Sequence, residues 1–303
     1  MNERLSSPKF VRSFIKQHRL PVRKKYGQNF LVDENILQKI ILAADVQAED
    51  NVLEIGPGLG TMTRELALHA KHVWAVEIDT LLEPILAETL AGYSNISVVF
   101  EDALKVDLPA LAGEQGFQRV VANLPYYITT PLLERLLDIH PQVQRMVVLV
   151  QKEVGERLQA KPGSKAYGSL SIWAQALARV EMVDTVSRNV FYPVPQVESA
   201  IVVLSPYTDA EHGILHRQCF ELTNRAIFNQ RRKTLGNALK NSPHWQLDAE
   251  IIASAMQEAG LDASVRGEQL EVAQVVKLAN ILTPAILSSL CEAGSLPAAS
   301  QEQ

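Results

Sequence analysis

A doubly wound α/β sheet followed by a smaller C-terminal helical domain is the fold class this sequence predicts, on three observations. Short β-rich runs alternate with helical patterns between Asn51 and Val150, a glycine-rich turn follows the first run, and strand signals end at Pro206. Such alternation means parallel strands joined by helices that cover both faces of one sheet.

The strands are expected over residues 52–55, 73–78, 96–100, 120–122 and 146–150, each a run of β-branched or large apolar residues. The helices between them are expected over 61–70, 81–91 and 131–139, with Pro131 suited to a first helical turn. After Gln151 come a helix, the loop Lys161-Pro162-Gly163-Ser164, and a second helix near 170–178. Two strands near 180–186 and 200–204 then form a hairpin-like edge of the sheet. Past Pro206, residues 216–229, 247–259 and 269–282 repeat at helical spacing without strand signals. The expected organisation is a basic N-terminal extension over 1–25, an α/β domain over 26–205, a helical domain over 206–290 and a tail over 291–303.

With 47% hydrophobic residues in a chain of 303, a sizeable core is available. No uninterrupted apolar run approaches about 18 residues, so no membrane partner is expected. Cys219 and Cys291 lie far apart and lack any C-x-x-C spacing, which suggests neither a zinc site nor a disulfide framework and fits a reducing cytoplasm. The seven histidines are scattered and none forms an H-x-x-x-H pair with a nearby Glu on a plausible helix, so no metal is expected. The net charge of −5 is unevenly spread. Arg4, Lys9, Arg12, Lys16, Arg19, Arg23, Lys24 and Lys25 face a single acid, Glu3, and a second basic cluster is Arg231-Arg232-Lys233. Both are candidates for phosphate contacts, against the plainer reading of solvated helix faces. Ser6-Ser7-Pro8 reads as a helix start rather than part of a targeting leader.

Asn123-Leu124-Pro125-Tyr126, at the end of the fourth strand, brings an amide, a rigid turn and an aromatic face together. The Asn123 oxygen and a carbonyl near Leu124 suit an exocyclic amine with two hydrogens, and Tyr126 suits a base face. The same residues also make ordinary loop chemistry. Glu54-Ile55-Gly56-Pro57-Gly58-Leu59-Gly60 follows the first strand and permits close backbone approach to a ligand, although Thr61 stands where a dinucleotide fingerprint needs its third glycine. Glu77, followed by Asp79, ends the second strand, where acids meet ribose hydroxyls; Asp102 ends the third. The bland reading of Glu77 and Asp102 is helix capping.

These motifs form an ordered series. It runs from Lys24-Lys25-Tyr26-Gly27-Gln28-Asn29-Phe30-Leu31 through the glycine turn, Glu77, Asp102, Asn123-Leu124-Pro125-Tyr126 and Lys165-Ala166-Tyr167-Gly168-Ser169-Leu170. It continues with Asn189-Val190-Phe191-Tyr192-Pro193-Val194-Pro195-Gln196-Val197-Glu198-Ser199-Ala200 and Phe228-Asn229-Gln230-Arg231-Arg232-Lys233-Thr234-Leu235. The series resembles the ribosomal RNA adenine N6,N6-dimethyltransferase family and, more distantly, the erythromycin-resistance methyltransferases. The resemblance implies a Rossmann-like methyltransferase sheet, S-adenosylmethionine as cofactor, and dimethylation of two adjacent adenosines near the 3′ end of small-subunit RNA. It implies cofactor contacts from Gln28, Asn29, Leu31, Gly56, Gly58, Glu77, Asp102 and Asn123. For catalysis it implies Asn123, Leu124, Pro125 and Tyr126, with Tyr126 and Phe191 sandwiching the flipped base. Lys24, Lys25, Arg231, Arg232 and Lys233 are the expected RNA contacts, and the expected partner is the immature small subunit, met by a monomer. An adenine-N6 methyltransferase of DNA and a non-catalytic binding factor on the same scaffold remain open alternatives.

Overall fold

The computed structural model describes residues 5–21, 23, 26–139, 142–230, 233–262 and 264–292. Two compact units make up the chain. One is formed by Met1–Gly155 with Arg179–Pro206, the other by Glu156–Ala178 with Tyr207–Gln303.

The first unit contains nine strands: β1 (Phe30–Leu31), β2 (Asn51–Ile55), β3 (His72–Glu77), β4 (Ile96–Phe100), β5 (Phe117–Asn123), β6 (Arg145–Gln151), β7 (Ala178–Val186), β8 (Phe191–Tyr192) and β9 (Ser199–Pro206). Seven of them form one sheet in the order β4-β3-β2-β5-β6-β9-β7. The five strands from β2 to β6 are parallel, and β9 runs antiparallel to β6. β2, β5 and β6 are near-continuous apolar runs because helices cover both faces, so Val52, Leu53, Val120, Val121, Val147 and Val148 are all 0% exposed. The edge formed by β9 and β7 has the two strands expected there. Between them the chain leaves the sheet, and β8 pairs antiparallel with β1.

Chain order reverses at the centre of the sheet. From β2 the chain moves outward to β3 and β4, then returns to β5 on the other side of β2. The carboxyl ends of β2 and β5 therefore diverge into a crevice, the place where open α/β sheets bind ligands.

The helices follow the pattern with shifted ends. Thr61–Ala67 is shorter than expected, and the helix expected over 81–91 is a 3-10 turn at Thr80–Leu82 followed by Glu83–Thr89, with Pro84 in the first helical turn. The Pro8–Gln17 helix begins where Ser6-Ser7-Pro8 announced it. The described part of the segment expected as an extension is no appendage. Val11, Phe14, Ile15 and Leu20 are buried in one cluster with Leu59, Leu82, Ile85, Leu86 and Leu90. Its basic side chains occupy the opposite, solvated positions of an amphipathic helix.

In the second unit, the helix expected near 170–178 (Ser169–Leu177) packs with the C-terminal helices rather than with the α/β domain expected over 26–205. Three hydrogen bonds explain why: the buried Tyr167 hydroxyl donates to the Leu270 carbonyl at 2.7 Å, Asn224 Nδ2 to the Ser169 carbonyl at 2.9 Å, and the Tyr207 N–H to the Leu177 carbonyl at 2.8 Å. The remaining long helices are Arg217–Asn229, Ala249–Ala259 and Val272–Glu292. Val272–Glu292 is long and apolar enough to cross a membrane by length and composition. Its Val275, Leu278, Ala279, Leu282 and Ile286 are buried inside the unit, the packing of a core helix.

Candidate active site

The crevice at the carboxyl ends of β2, β3 and β5 is lined by Gln28, Asn29, Leu31, Glu54, Gly56, Gly58, Glu77, Asp102, Asn123, Leu124, Pro125, Tyr126 and Tyr127 among others. Every residue expected at the cofactor is therefore at one site. The same holds for the Asn123–Tyr126 turn.

Gly56, Gly58 and Gly60 have φ of 75°, 59° and 84°, the left-handed region that favours glycine, so the chain after β2 turns sharply into the Thr61–Ala67 helix. At Gly58 a side chain is crowded: a Cβ there would lie 3.1 Å from the Phe30 ring, which would have to give by a few tenths of an ångström. Gly58→Ala is accordingly expected to displace Phe30 and weaken cofactor affinity about tenfold or more. Isothermal titration with S-adenosylmethionine checks it, and unchanged affinity would contradict it.

Glu77 is 5% exposed and not a helix cap. Its two oxygens accept the Asp79 N–H at 2.9 Å and the Gly58 N–H at 3.3 Å, tying the end of β3 to the glycine turn. Burial raises its pKa despite those donors, with the Asp79 charge adding to the rise. Asp102 is half-buried, and one of its oxygens accepts the Leu104 N–H at 2.9 Å. The capping reading thus applies to one oxygen of Asp102, and the second completes the group's acceptor capacity.

Asn123 is oriented from the N-terminal segment. Its Nδ2 donates to the Asn29 carbonyl at 3.0 Å, which leaves Oδ1 at the opposite edge of the planar amide. Leu124 is buried, its N–H held by the Leu149 carbonyl at 3.0 Å, so Pro125 and Tyr126 project from a fixed strand end. The Tyr126 hydroxyl lies 2.8 Å from Ser199 Oγ, which fixes the ring, and burial keeps its pKa above the ordinary phenol value.

Three expectations are corrected or fall elsewhere. Phe191 does not reach the crevice: it is 2% exposed, pairs with Leu31 across the β1–β8 ladder, and lies in a core cluster with Leu37, Ile41 and Val203. A stacking role needs a ring face open to the crevice, and at 2% exposed Phe191 is packed into that cluster. The aromatic available beside Tyr126 is Tyr127, which is 56% exposed. Gln28 lines the crevice with its amide engaged by the protein, Nε2 donating to Asp79 at 2.8 Å and Oε1 accepting the Arg23 N–H at 2.8 Å, which leaves one hydrogen and one lone pair for a ligand. Lys233 is exposed, whereas Lys24, Lys25, Arg231 and Arg232 lie outside the described residues.

Glu54 was missed as a site residue. It is 0% exposed in the middle of β2, and neither carboxyl oxygen has a hydrogen-bond partner. Burial lifts its pKa to about 8; the Thr63 hydroxyl moderates the rise without completing a hydrogen bond of normal geometry, and Glu77 adds to it. The signal was present in the sequence: one acid in an otherwise apolar, doubly covered strand. An unpartnered buried carboxyl, a glycine cradle and two further acids at strand ends fit a ligand with a cationic chain, a ribose and an adenine. Among the described residues no group of three His, Cys, Asp or Glu side chains is arranged to hold a metal ion.

Comparison with known proteins agrees with this geometry. The profile of the family described as ribosomal RNA adenine dimethylase matches residues 19–283. Ribosomal RNA small subunit methyltransferase A of Lachnoclostridium phytofermentans is 45% identical over 282 residues, 92% of this chain and 97% of that protein. The Geobacillus thermodenitrificans protein of the same name is 42% identical over 289 residues, 94% of this chain and 99% of that one. Among solved structures, a dimethyladenosine transferase from Plasmodium falciparum superposes with a TM-score of 0.74 at 29% identity, covering 84% of this chain and 98% of that chain. The 23S rRNA methyltransferase ErmE gives 0.64 at 28% identity, covering 84% and 100%. With the match spanning both units and the full motif series, this chain belongs to the ribosomal RNA adenine dimethylase family.

Proposed function

We propose that this protein transfers methyl groups from S-adenosylmethionine to N6 of two adjacent adenosines near the 3′ end of 16S ribosomal RNA, giving N6,N6-dimethyladenosine as the small subunit matures in the cytoplasm. The observation that carries the reading is Asn123: a strand-end amide at the sheet's switch point, with its nitrogen committed to Asn29 and its oxygen turned away from that bond.

The residues fit the cofactor. Gly56 and Gly58 admit close backbone approach, Glu77 suits the ribose hydroxyls, Asp102 suits the adenine amine, and Asn29 and Leu31 close the site from the N-terminal side. When bound, S-adenosylmethionine supplies an electrophilic methyl group. The protein's work is on the other reactant. The adenine N6 lone pair is delocalised into the ring, so Asn123 Oδ1 and the Leu124 carbonyl accept its two hydrogens and hold it in line with the methyl group. As the new N–C bond formed and the methyl–sulfur bond broke, its electron pair passing to sulfur, positive charge would develop on N6, and the same two oxygens would stabilise it before a proton left to solvent. A monomethylated amine still has one hydrogen to donate, which allows a second round. Tyr126, fixed through Ser199, offers the base a face.

Lys233, with Lys24, Lys25, Arg231 and Arg232, is assigned to RNA phosphates, and the helical unit to recognition of the subunit's shape by a monomer. Radiolabelled S-adenosylmethionine offered with under-methylated small subunits, naked large-subunit RNA and adenine-containing DNA tests the substrate. Label confined to small subunits is the expected result. Label in large-subunit RNA would move the reading toward the activity named for ErmE, and none anywhere would favour a non-catalytic binder.

A further inference from the structure

Residues 26–32, together with Arg23, are fastened to the crevice at four places. Val32 N–H donates to the Val190 carbonyl at 2.8 Å beside the β1–β8 ladder, and the Phe30 ring lies against Gly58. The Asn29 carbonyl accepts from Asn123. The fourth attachment is ionic. Asp79, 1% exposed, takes Gln28 Nε2 on one oxygen at 2.8 Å and Arg23 Nη1 on the other at 3.3 Å. The Arg23 N–H closes the loop by donating to Gln28 Oε1 at 2.8 Å, and its guanidinium lies 5.8 Å from the Tyr26 ring centroid.

A carboxylate this deeply buried needs a partner, and among the described residues its ionic partner is Arg23 alone. Asp79 also donates its N–H to Glu77. One residue thus joins the end of β3, where the ribose-suited acid stands, to the segment that carries Asn29 and Leu31. Lifting Arg23 and residues 27–31 would strip Asp79 of both side-chain partners and take Asn29 from Asn123 in one motion.

We propose that Asp79 is a positioning residue for the cofactor: it clasps Arg23 and Gln28, keeps residues 27–31 across the glycine turn, and must let go for the cofactor to leave. The proposal rests on the reading of the crevice as an S-adenosylmethionine site. It adds a specific consequence, that the clasp sets residence time rather than the rate of chemistry.

The test is S-adenosylmethionine binding and dissociation in the full chain, by titration and by chase of radiolabelled cofactor, for wild type, Arg23→Ala, Arg23→Lys, Asp79→Asn and the double variant Arg23→Ala/Asp79→Asn. Arg23→Ala and Asp79→Asn are each expected to speed dissociation about tenfold, and the double variant no more than either alone. Arg23→Lys is expected to restore part of the loss, since it keeps the charge and loses the fork. In Arg23→Ala, KM for the cofactor should rise while kcat at saturation stays within about twofold. The melting temperatures of the cofactor-free proteins serve as the structural control: Arg23→Ala, which leaves Asp79 without its ionic partner, is expected to melt below wild type and the double variant to recover, while the dissociation rates of both stay raised. Equal dissociation rates in all proteins would overturn the clasp, as would an effect of Asp79→Asn with none from Arg23→Ala, which would leave Asp79 acting through Gln28 or Glu77 without the ionic attachment. A wild-type protein that binds no S-adenosylmethionine would instead overturn the function itself.

Discussion

Asn123→Ala is expected to lower single-turnover methyl transfer about 10²- to 10³-fold, the scale measured when one preorganised hydrogen-bonding group is removed from an active site. The side chain does two things that alanine does neither of. In the proposed mechanism its oxygen holds the target amine; in the structure its nitrogen fixes the Asn29 carbonyl at 3.0 Å. The second loss is a single neutral hydrogen bond, so cofactor affinity should fall by only about fivefold, roughly 1 kcal/mol. Rapid-quench turnover on small subunits, paired with calorimetric titration of S-adenosylmethionine, separates the two. Turnover equal to wild type would remove Asn123 from the chemistry.

Glu54→Gln is expected to flatten the pH dependence of stability. The carboxyl has an ordinary pKa of 4.5 when exposed and about 8 when buried in the fold. Between those values the folded chain holds a proton that the unfolded chain has released, so stability falls as pH rises. The contribution is fully present below pH 4.5 and gone near pH 8, at up to about 1.4 kcal/mol per pH unit. An amide of the same shape does not titrate. Urea unfolding of the cofactor-free proteins at pH 5, 6.5 and 8 should therefore show Glu54→Gln gaining a few kcal/mol on wild type from the lowest to the highest pH. Parallel pH profiles would mean that Glu54 is ionised in the fold.

How much of this was legible in the sequence depends on whether the signal was local. The parallel strands and the glycine turn were legible because a doubly covered strand is a run of Val, Leu and Ile and a left-handed turn calls for glycine. Asn123, Glu77 and Asp102 were legible for a related reason: polar residues at the ends of apolar strands stand out from what precedes them. Contacts between distant segments were not. Nothing in the spacing of Tyr167 and Leu270, or of Ser169 and Asn224, announces that residues 156–178 join the C-terminal helices. The burial of Phe191 depends on β8 pairing with a two-residue strand 160 positions earlier, too short to carry a periodic signal. Gln28 was rightly set at the crevice. Its amide, however, faces Asp79 and Arg23, which only the folded chain brings near.

The central claim is that this crevice carries adenine N6 dimethylation. Its most direct test is nucleoside mass spectrometry of 16S RNA from under-methylated small subunits incubated with the protein and S-adenosylmethionine. The account predicts two N6,N6-dimethyladenosines per subunit with wild type and almost none with Asn123→Ala. Small subunits that gain no N6-methylated adenosine from the wild-type protein would contradict it.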